Sequence, residues 1–267
     1  MVNTSYHEIN PYILSDETTL VFSADDKYNS AAMMNYFNVK FSENKDLGWT
    51  KCKTVTGMVN TLYDEYSCGL GGGHVFFNSN RDVQFGIYDS RYINNGRMGD
   101  GYKIGAPIDM KGDEVAATMS LNGDTIIYSG TCENGKLDLF YSIKRNDVWQ
   151  TPRPLPGRIN VEDCDENYPM LTADGKRLYF SSDRSSSMGG MDLYYSDFNA
   201  KTGEWGEPVH LKYPINDTYD NLTVSFSRNG RYAYISSIRE GGFGGRDIYA
   251  LVYDKIMPYT ALIKCNV

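Results

Sequence analysis

Carboxylates recur along this sequence in a fixed setting. Asn or Asp is followed after a few residues by a polar pair: Asn3…His7-Glu8, Asn60…Asp64-Glu65, Asp109…Asp113-Glu114, Asn160…Asp165-Glu166 and Asn216…Asp220-Asn221. Paired carboxylates can hydrolyse a glycoside when they face each other across a pocket at about 5–9.5 Å. They can also collect a hard cation, although no compact loop with calcium-binding spacing occurs. Arginines stand near them in the chain, at Arg81, Arg184 and Arg239, and Asp183 precedes Arg184. Guanidinium groups can hold a partner's carboxylate with two parallel hydrogen bonds. The competing reading is structural, with arginine and acid pairing between neighbouring units. Repetition favours structure, because catalysis needs one unsymmetrical pair.

Other chemistry has less support. The three histidines, His7, His74 and His210, fall in different parts of the chain. No His-x-x-His or Cys-x-x-Cys occurs, so no zinc site is expected. No Gly-x-Ser-x-Gly elbow is present. The glycines of 69–73 do not open a helix after a strand, so no nucleotide cofactor is expected. Among Cys52, Cys68, Cys132, Cys164 and Cys265, one disulfide is expected, Cys132 with Cys164. Cys68 should be a buried apolar residue of an inner strand.

The elements that must carry these residues follow from a second marker, an apolar run ending in a small polar residue. It occurs at Leu20–Ser23, Val75–Asn78, Ile126–Ser129, Leu178–Ser181 and Ala233–Ser236. Steps of 55, 51, 52 and 55 residues match the 57, 49, 51 and 56 of the first marker. Two markers with one period give five repeats, at about 3–59, 60–108, 109–159, 160–215 and 216–257. Within repeat four, Tyr168–Ala173 and Lys176–Ser182 read as strands joined at Asp174-Gly175. Asn122-Gly123 and Asn229-Gly230 take the same place, and such dipeptides predict type I′ hairpins. A third strand opens at Asp192, Asp138 or Asp247. A fourth opens at Trp49, Trp149 or Trp205. Four short antiparallel strands with two apolar faces describe a propeller blade. The expected fold is therefore an all-β propeller of four-stranded antiparallel blades in one domain, 1–257. Five blades are favoured over six. Residues 258–267 read as the start of a following β domain.

Composition agrees. Hydrophobic residues make up 41% and aromatics 13%, ample for a core. With 26 Lys and Arg against 34 Asp and Glu, the net charge of −8 argues against a general nucleic-acid binder. No apolar run is long enough for a membrane-spanning helix, and the first residues carry no signal-peptide pattern.

The segment Asp165-Glu166-Asn167-Tyr168-Pro169…Thr172-Ala173-Asp174-Gly175-Lys176-Arg177-Leu178-Tyr179-Phe180-Ser181-Ser182-Asp183-Arg184 resembles the TolB-type, WD40-like β-propeller repeat. Gly189-Gly190-Met191-Asp192-Leu193-Tyr194 continues the likeness, and Gly244-Gly245-Arg246-Asp247-Ile248-Tyr249 repeats it. Repeat two departs most, with Gly71-Gly72-Gly73 in place of the turn and Gly86 in place of the strand-opening aspartate. The Gly-Gly-x-Asp-Leu-Tyr variant is similar to propellers of multi-domain OmpA-family envelope proteins. This resemblance implies a periplasmic or outer-membrane-associated module without enzymatic activity, whose partner is another envelope protein or a peptidoglycan-associated component. A glycoside hydrolase on a five-bladed propeller is the alternative. For binding, the expected site is a rim at the channel mouth, formed by Arg81, Asp183, Arg184 and Arg239 on the loops between second and third strands. Such loops carry recognition on a rigid scaffold.

Overall fold

The computed structural model describes residues 2–25, 37–45, 48–82, 84–108, 115–228 and 230–253. The loop 26–36, the pair Asp113-Glu114, Asn229 and the tail 258–267 lie outside them. The described residues form an all-β propeller. Blade one contains Glu8–Ile13, Thr19–Asp25, Phe37–Lys45 and an outer strand in two pieces, Gly48–Trp49 and Lys53–Thr54. Blade two runs Glu65–Gly71, His74–Asp82, Gln84–Asn94, then Arg97–Met98 and Tyr102–Lys103. Blade three runs Ala117–Met119, Thr125–Thr131, Leu137–Arg145, then Val148–Trp149 and Arg153–Pro154. Blade four runs Glu166–Leu171, Arg177–Ser182, Asp192–Asn199, then Glu204–Trp205 and Val209–His210. In the fifth group three strands are described, Val224–Phe226, Tyr232–Ser237 and Asp247–Val252. Neighbours within each blade pair antiparallel, in chain order.

The second strands are buried on both faces, which is why they read as unbroken apolar runs rather than alternating ones. Their two faces serve different neighbours. Val21 of blade one packs with Val75 and Phe77 of blade two, while Leu20 and Phe22 pack with Tyr234 of the fifth group. Ile126 and Tyr128 meet Phe76 and Ile87 of blade two; Ile127 meets Leu178 and Phe180 of blade four; Tyr179 meets Val224, Ala233 and Ile235. The core is thus a set of interblade layers, and the last layer joins the fifth group to the first. Full burial of a side chain such as Phe22 or Phe180 contributes about 1.5–3 kcal/mol.

The inner strands of blades two and three approach closely, joined by a parallel bridge between Gly71 and Met119. A Cβ at Gly71 would sit 2.0 Å from the Met119 carbonyl oxygen, so only glycine permits the contact.

Two expectations need correction. The hairpins expected as type I′ at Asn122-Gly123 and Asp174-Gly175 are not of that type. At Asp174-Gly175 only the glycine has positive φ, and its N–H closes a four-residue turn on the Thr172 carbonyl. Gly123 closes on Ser120 and Gly230 on Ser227 in the same way. These loops are longer than two residues, so one left-handed residue is enough to turn the chain. Between first and second strands, the two-residue hairpin with both φ values positive is Gly72-Gly73 of blade two. The outer strand is also interrupted. A buried serine of the third strand donates its hydroxyl to the carbonyl at the break: Ser42 to Thr50 (2.7 Å), Ser90 to Gly99 (2.9 Å), Ser142 to Gln150 (2.5 Å) and Ser196 to Gly206 (2.7 Å). The side chain replaces ladder bonds the backbone gives up there. The tryptophans Trp49, Trp149 and Trp205 begin these outer strands and pack onto interblade layers.

Candidate functional site

The links between blades and the loops between second and third strands lie at one end of the propeller, the link face. The repeated motif of the sequence builds this face. Each link asparagine clasps the third strand of the preceding blade through its side-chain amide. Leu139 N–H donates to Asn160 Oδ1 (2.9 Å), and Asn160 Nδ2 donates back to the Leu139 carbonyl (3.0 Å). Asn60 does the same to Val39 and Asn216 to Leu193. Asn3 does so to Ile248 of the fifth group, at 2.9 and 3.0 Å.

In three described links the first member of the polar pair performs a second clasp. Asp64, Asp165 and Asp220 accept the N–H of Phe37 (3.0 Å), Leu137 (2.8 Å) and Met191 (3.0 Å), where the preceding third strand begins. His7 Nδ1 takes this place against Arg246 N–H (3.1 Å). The second member, Glu8, Glu65 or Glu166, is fully buried. Each accepts hydrogen bonds from its own link, such as those of the Thr61 N–H and hydroxyl to Glu65 (2.9 and 2.5 Å). Burial pushes the Glu8 and Glu166 carboxyls up, against the opposing effect of these hydrogen bonds.

The expected rim residues do lie on this face, each tied to neighbouring groups. Arg184 donates to the Ile159 carbonyl (2.7 Å), Ser182 Oγ (3.0 Å) and Glu166 Oε1 (3.2 Å). Its guanidinium lies over the rings of Phe180 and Tyr194. Arg81 repeats this pattern on Met58, Val59, Ser79 and Glu65. Arg239 donates to the Pro214 carbonyl (2.5 Å) and lies over Tyr249. Asp183 accepts the Asp165 N–H (2.7 Å) and stands 3.7 Å from the Lys136 ammonium. In blade three, Cys132 occupies the sequence place of these arginines. The expected Cys132–Cys164 disulfide is absent, and both are free thiols. Cys132 interacts with Asp138, and burial followed by this carboxylate pushes its thiol up to about 12. Cys164 lies instead in the field of Asp183, Glu166, Arg184 and Lys136. Cys68 is buried on an inner strand, as expected, and burial raises its thiol well above the ordinary range.

Among its exposed polar residues, such as Glu162, Asp163, Thr218 and Glu240, the link face also exposes large apolar side chains. Leu62 and Tyr63 on one link, Tyr219 on another, and Met188 and Phe243 on loops between strands are between 49% and 77% exposed. The inner strands offer little chemistry: Asn10, Tyr12, Ser67 and Cys68 are buried there.

A second feature, missed in the sequence, lies at the opposite end. It is a cleft of about 590 Å³ between blades two and three, with His74, Asp89 and Arg91 on one wall and Asp124, Lys144 and Asp147 on the other. Its signal was the departure of repeat two, whose Gly71-Gly72-Gly73 shortens one hairpin.

No family model matches this chain, and no curated protein matches it. Solved structures are similar in fold. An endo-arabinase from Bacteroides thetaiotaomicron VPI-5482 superposes with a TM-score of 0.60 at 12% identity, covering 96% of this chain and 98% of its own. A thermostable family-43 glycoside hydrolase gives 0.56 at 15%, covering 98% and 96%. TolB from Acinetobacter baumannii gives 0.55 at 15%, covering 90% of this chain and 52% of its own, so the chain spans about half the length of that TolB. At these identities the likeness is one of fold: a TolB-like β-propeller. Among the described residues no helix is long and apolar enough to cross a membrane.

Proposed function

We propose that the chain is a non-catalytic binding module of a Gram-negative cell envelope, docking another envelope protein or a cell-wall-associated component through its link face. The observation that carries this reading is the exposed set Leu62, Tyr63, Met188, Tyr219 and Phe243, brought to one face by two links and two loops. Exposed apolar groups rimmed by polar ones suit a protein interface. The arginines and buried glutamates hold blades and links in register beneath it. The likeness to TolB supports a periplasmic setting.

The second reading is glycoside hydrolysis, which the full-length likeness to the endo-arabinase keeps in view. It requires two carboxylates facing across an open pocket. Glu8, Glu65 and Glu166, at the starts of inner strands, are each fully buried in a clasp. This supports the first reading over the second.

The test uses a photo-crosslinking residue placed at Tyr219 or, as a control on the opposite face, at Ile143, in cells carrying the full gene. One discrete adduct from position 219 alone supports docking by the link face; equal labelling from both positions refutes it. Turnover of aryl arabinosides or cell-wall oligosaccharides, abolished by a single Asp→Asn change, would establish the second reading instead.

A further inference from the structure

The cleft between blades two and three breaks the symmetry of the ring, and the cause is local. Four hairpins between first and second strands have loops of four residues, closed by bonds such as Ser120 N–H to the Thr125 carbonyl and Thr172 N–H to the Arg177 carbonyl. Blade two has only Gly72-Gly73 between the paired Gly71 and His74. Its hairpin ends two residues short beside the full-length hairpin of blade three. Gly71 lets the two inner strands meet below it, and the cleft of about 590 Å³ opens between them. That volume falls within the usual range for small-ligand sites.

Both walls of the cleft carry charges of both signs. On the blade-two wall the Asp89 carboxylate lies 3.0 Å from His74 Nδ1. Lys103 of the same wall has an interaction of its own, whereas Arg91 is exposed and has no ion pair or side-chain hydrogen bond among the described residues. On the blade-three wall the Lys144 ammonium lies over the Trp149 ring at 4.6 Å. Asp124 accepts from Ser120 (3.1 Å) and Asn122 (2.7 Å). This leaves Asp147, exposed and likewise without a side-chain partner among the described residues.

Asp147 also stands in a costly conformation. Asn146 and Asp147 form a hairpin turn with φ of 50° and 60°. The corresponding turn of blade two is Asn95-Gly96, with glycine where blade three has the aspartate. A side chain is disfavoured in this region, and glycine would avoid the strain. Among the described residues, the carboxylate kept there makes no hydrogen bond.

We propose that this cleft binds a short zwitterionic peptide, with Arg91 taking its carboxylate and Asp147 its ammonium. Arg91 can grip a carboxylate with two parallel hydrogen bonds. Exposed Tyr102 and Leu121 line the space between as apolar contacts for the peptide body.

The test is a titration of the ¹⁵N-labelled protein with tri-alanine, N-acetyl-tri-alanine, tri-alanine amide and maltotriose. Tri-alanine should shift the amides of Gly72, Asp89, Asn122 and Asp147 saturably. Blocking either end should weaken binding at least tenfold, as should Arg91→Gln. Asp147→Gly should lose binding similarly while melting at or above the temperature of the parent, because glycine relieves the turn. Absence of a saturable shift with tri-alanine overturns the proposal. So does equal affinity for the blocked peptides, or saturable binding of maltotriose alone at the same amides.

Discussion

Replacing Arg184 by Ala tests whether the link-face arginines are struts. The side chain is 11% exposed, and its partner Glu166 is fully buried. Substitution removes the bonds to Ile159, Ser182 and Glu166 and the ring contacts with Phe180 and Tyr194. Removing one member of a buried pair costs about 3–5 kcal/mol when the other stays charged. Glu166 retains bonds from Ser182 (2.6 Å) and the Val161 N–H (3.0 Å), and it can take up a proton, so the expected loss is about 2–4 kcal/mol. For a chain of this size that lowers Tm by roughly 4–16 °C. The pH dependence is a second signature. Burial already raises the Glu166 pKa above 4.5. A carboxyl raised on folding contributes stability below its unfolded pKa and loses it as pH rises through the folded value. Without Arg184 the folded value rises further, so the deficit should be largest near pH 8 and shrink towards pH 5. Urea unfolding of parent and variant, followed by tryptophan fluorescence from pH 5 to 8, measures both. A deficit below about 1 kcal/mol at pH 7, or one flat with pH, refutes the strut argument. Unchanged stability with weakened partner binding would return Arg184 to the rim.

Other consequences can be measured with the same material. Gly175→Ala should cost about 1–2 kcal/mol in urea unfolding, because φ is +68° and no atom lies within 4 Å of the new Cβ, which isolates the backbone strain. Asn160→Ala strands the buried N–H of Leu139, whose carbonyl keeps the Leu155 N–H; a loss of about 1–3 kcal/mol and faster exchange of the Leu139 amide are expected. Thiol titration of the folded protein at pH 8 should leave Cys68 unlabelled until unfolding. Cys132 should react more slowly than a free cysteine, since its thiol is pushed up to about 12.

Much of the architecture was legible in the linear chain. Two markers of one period gave the repeats, and apolar runs bounded by turn dipeptides gave the strands, because each blade repeats one local pattern. The Asn and Asp-Glu marker was read as a repeat signal, and the structure supplies its role: Asn60, Asn160 and Asn216 take up edge hydrogen-bonding groups of the third strand in the preceding blade. Other features depended on geometry that no local pattern carries. Asp174-Gly175 is compatible with several turns, and loop length selects among them once the ladder register is set. Cys132 and Cys164 share a face, but their thiols have different neighbours. The cleft between blades two and three needs a shortened hairpin, a full-length one and a close approach of inner strands at Gly71, from two separate repeats. The sequence by itself determined the blade, because strand period, turn residues and apolar runs are short-range properties. Only the tertiary structure decided which polar groups are committed to clasps and which remain open, because that depends on blades packing side by side.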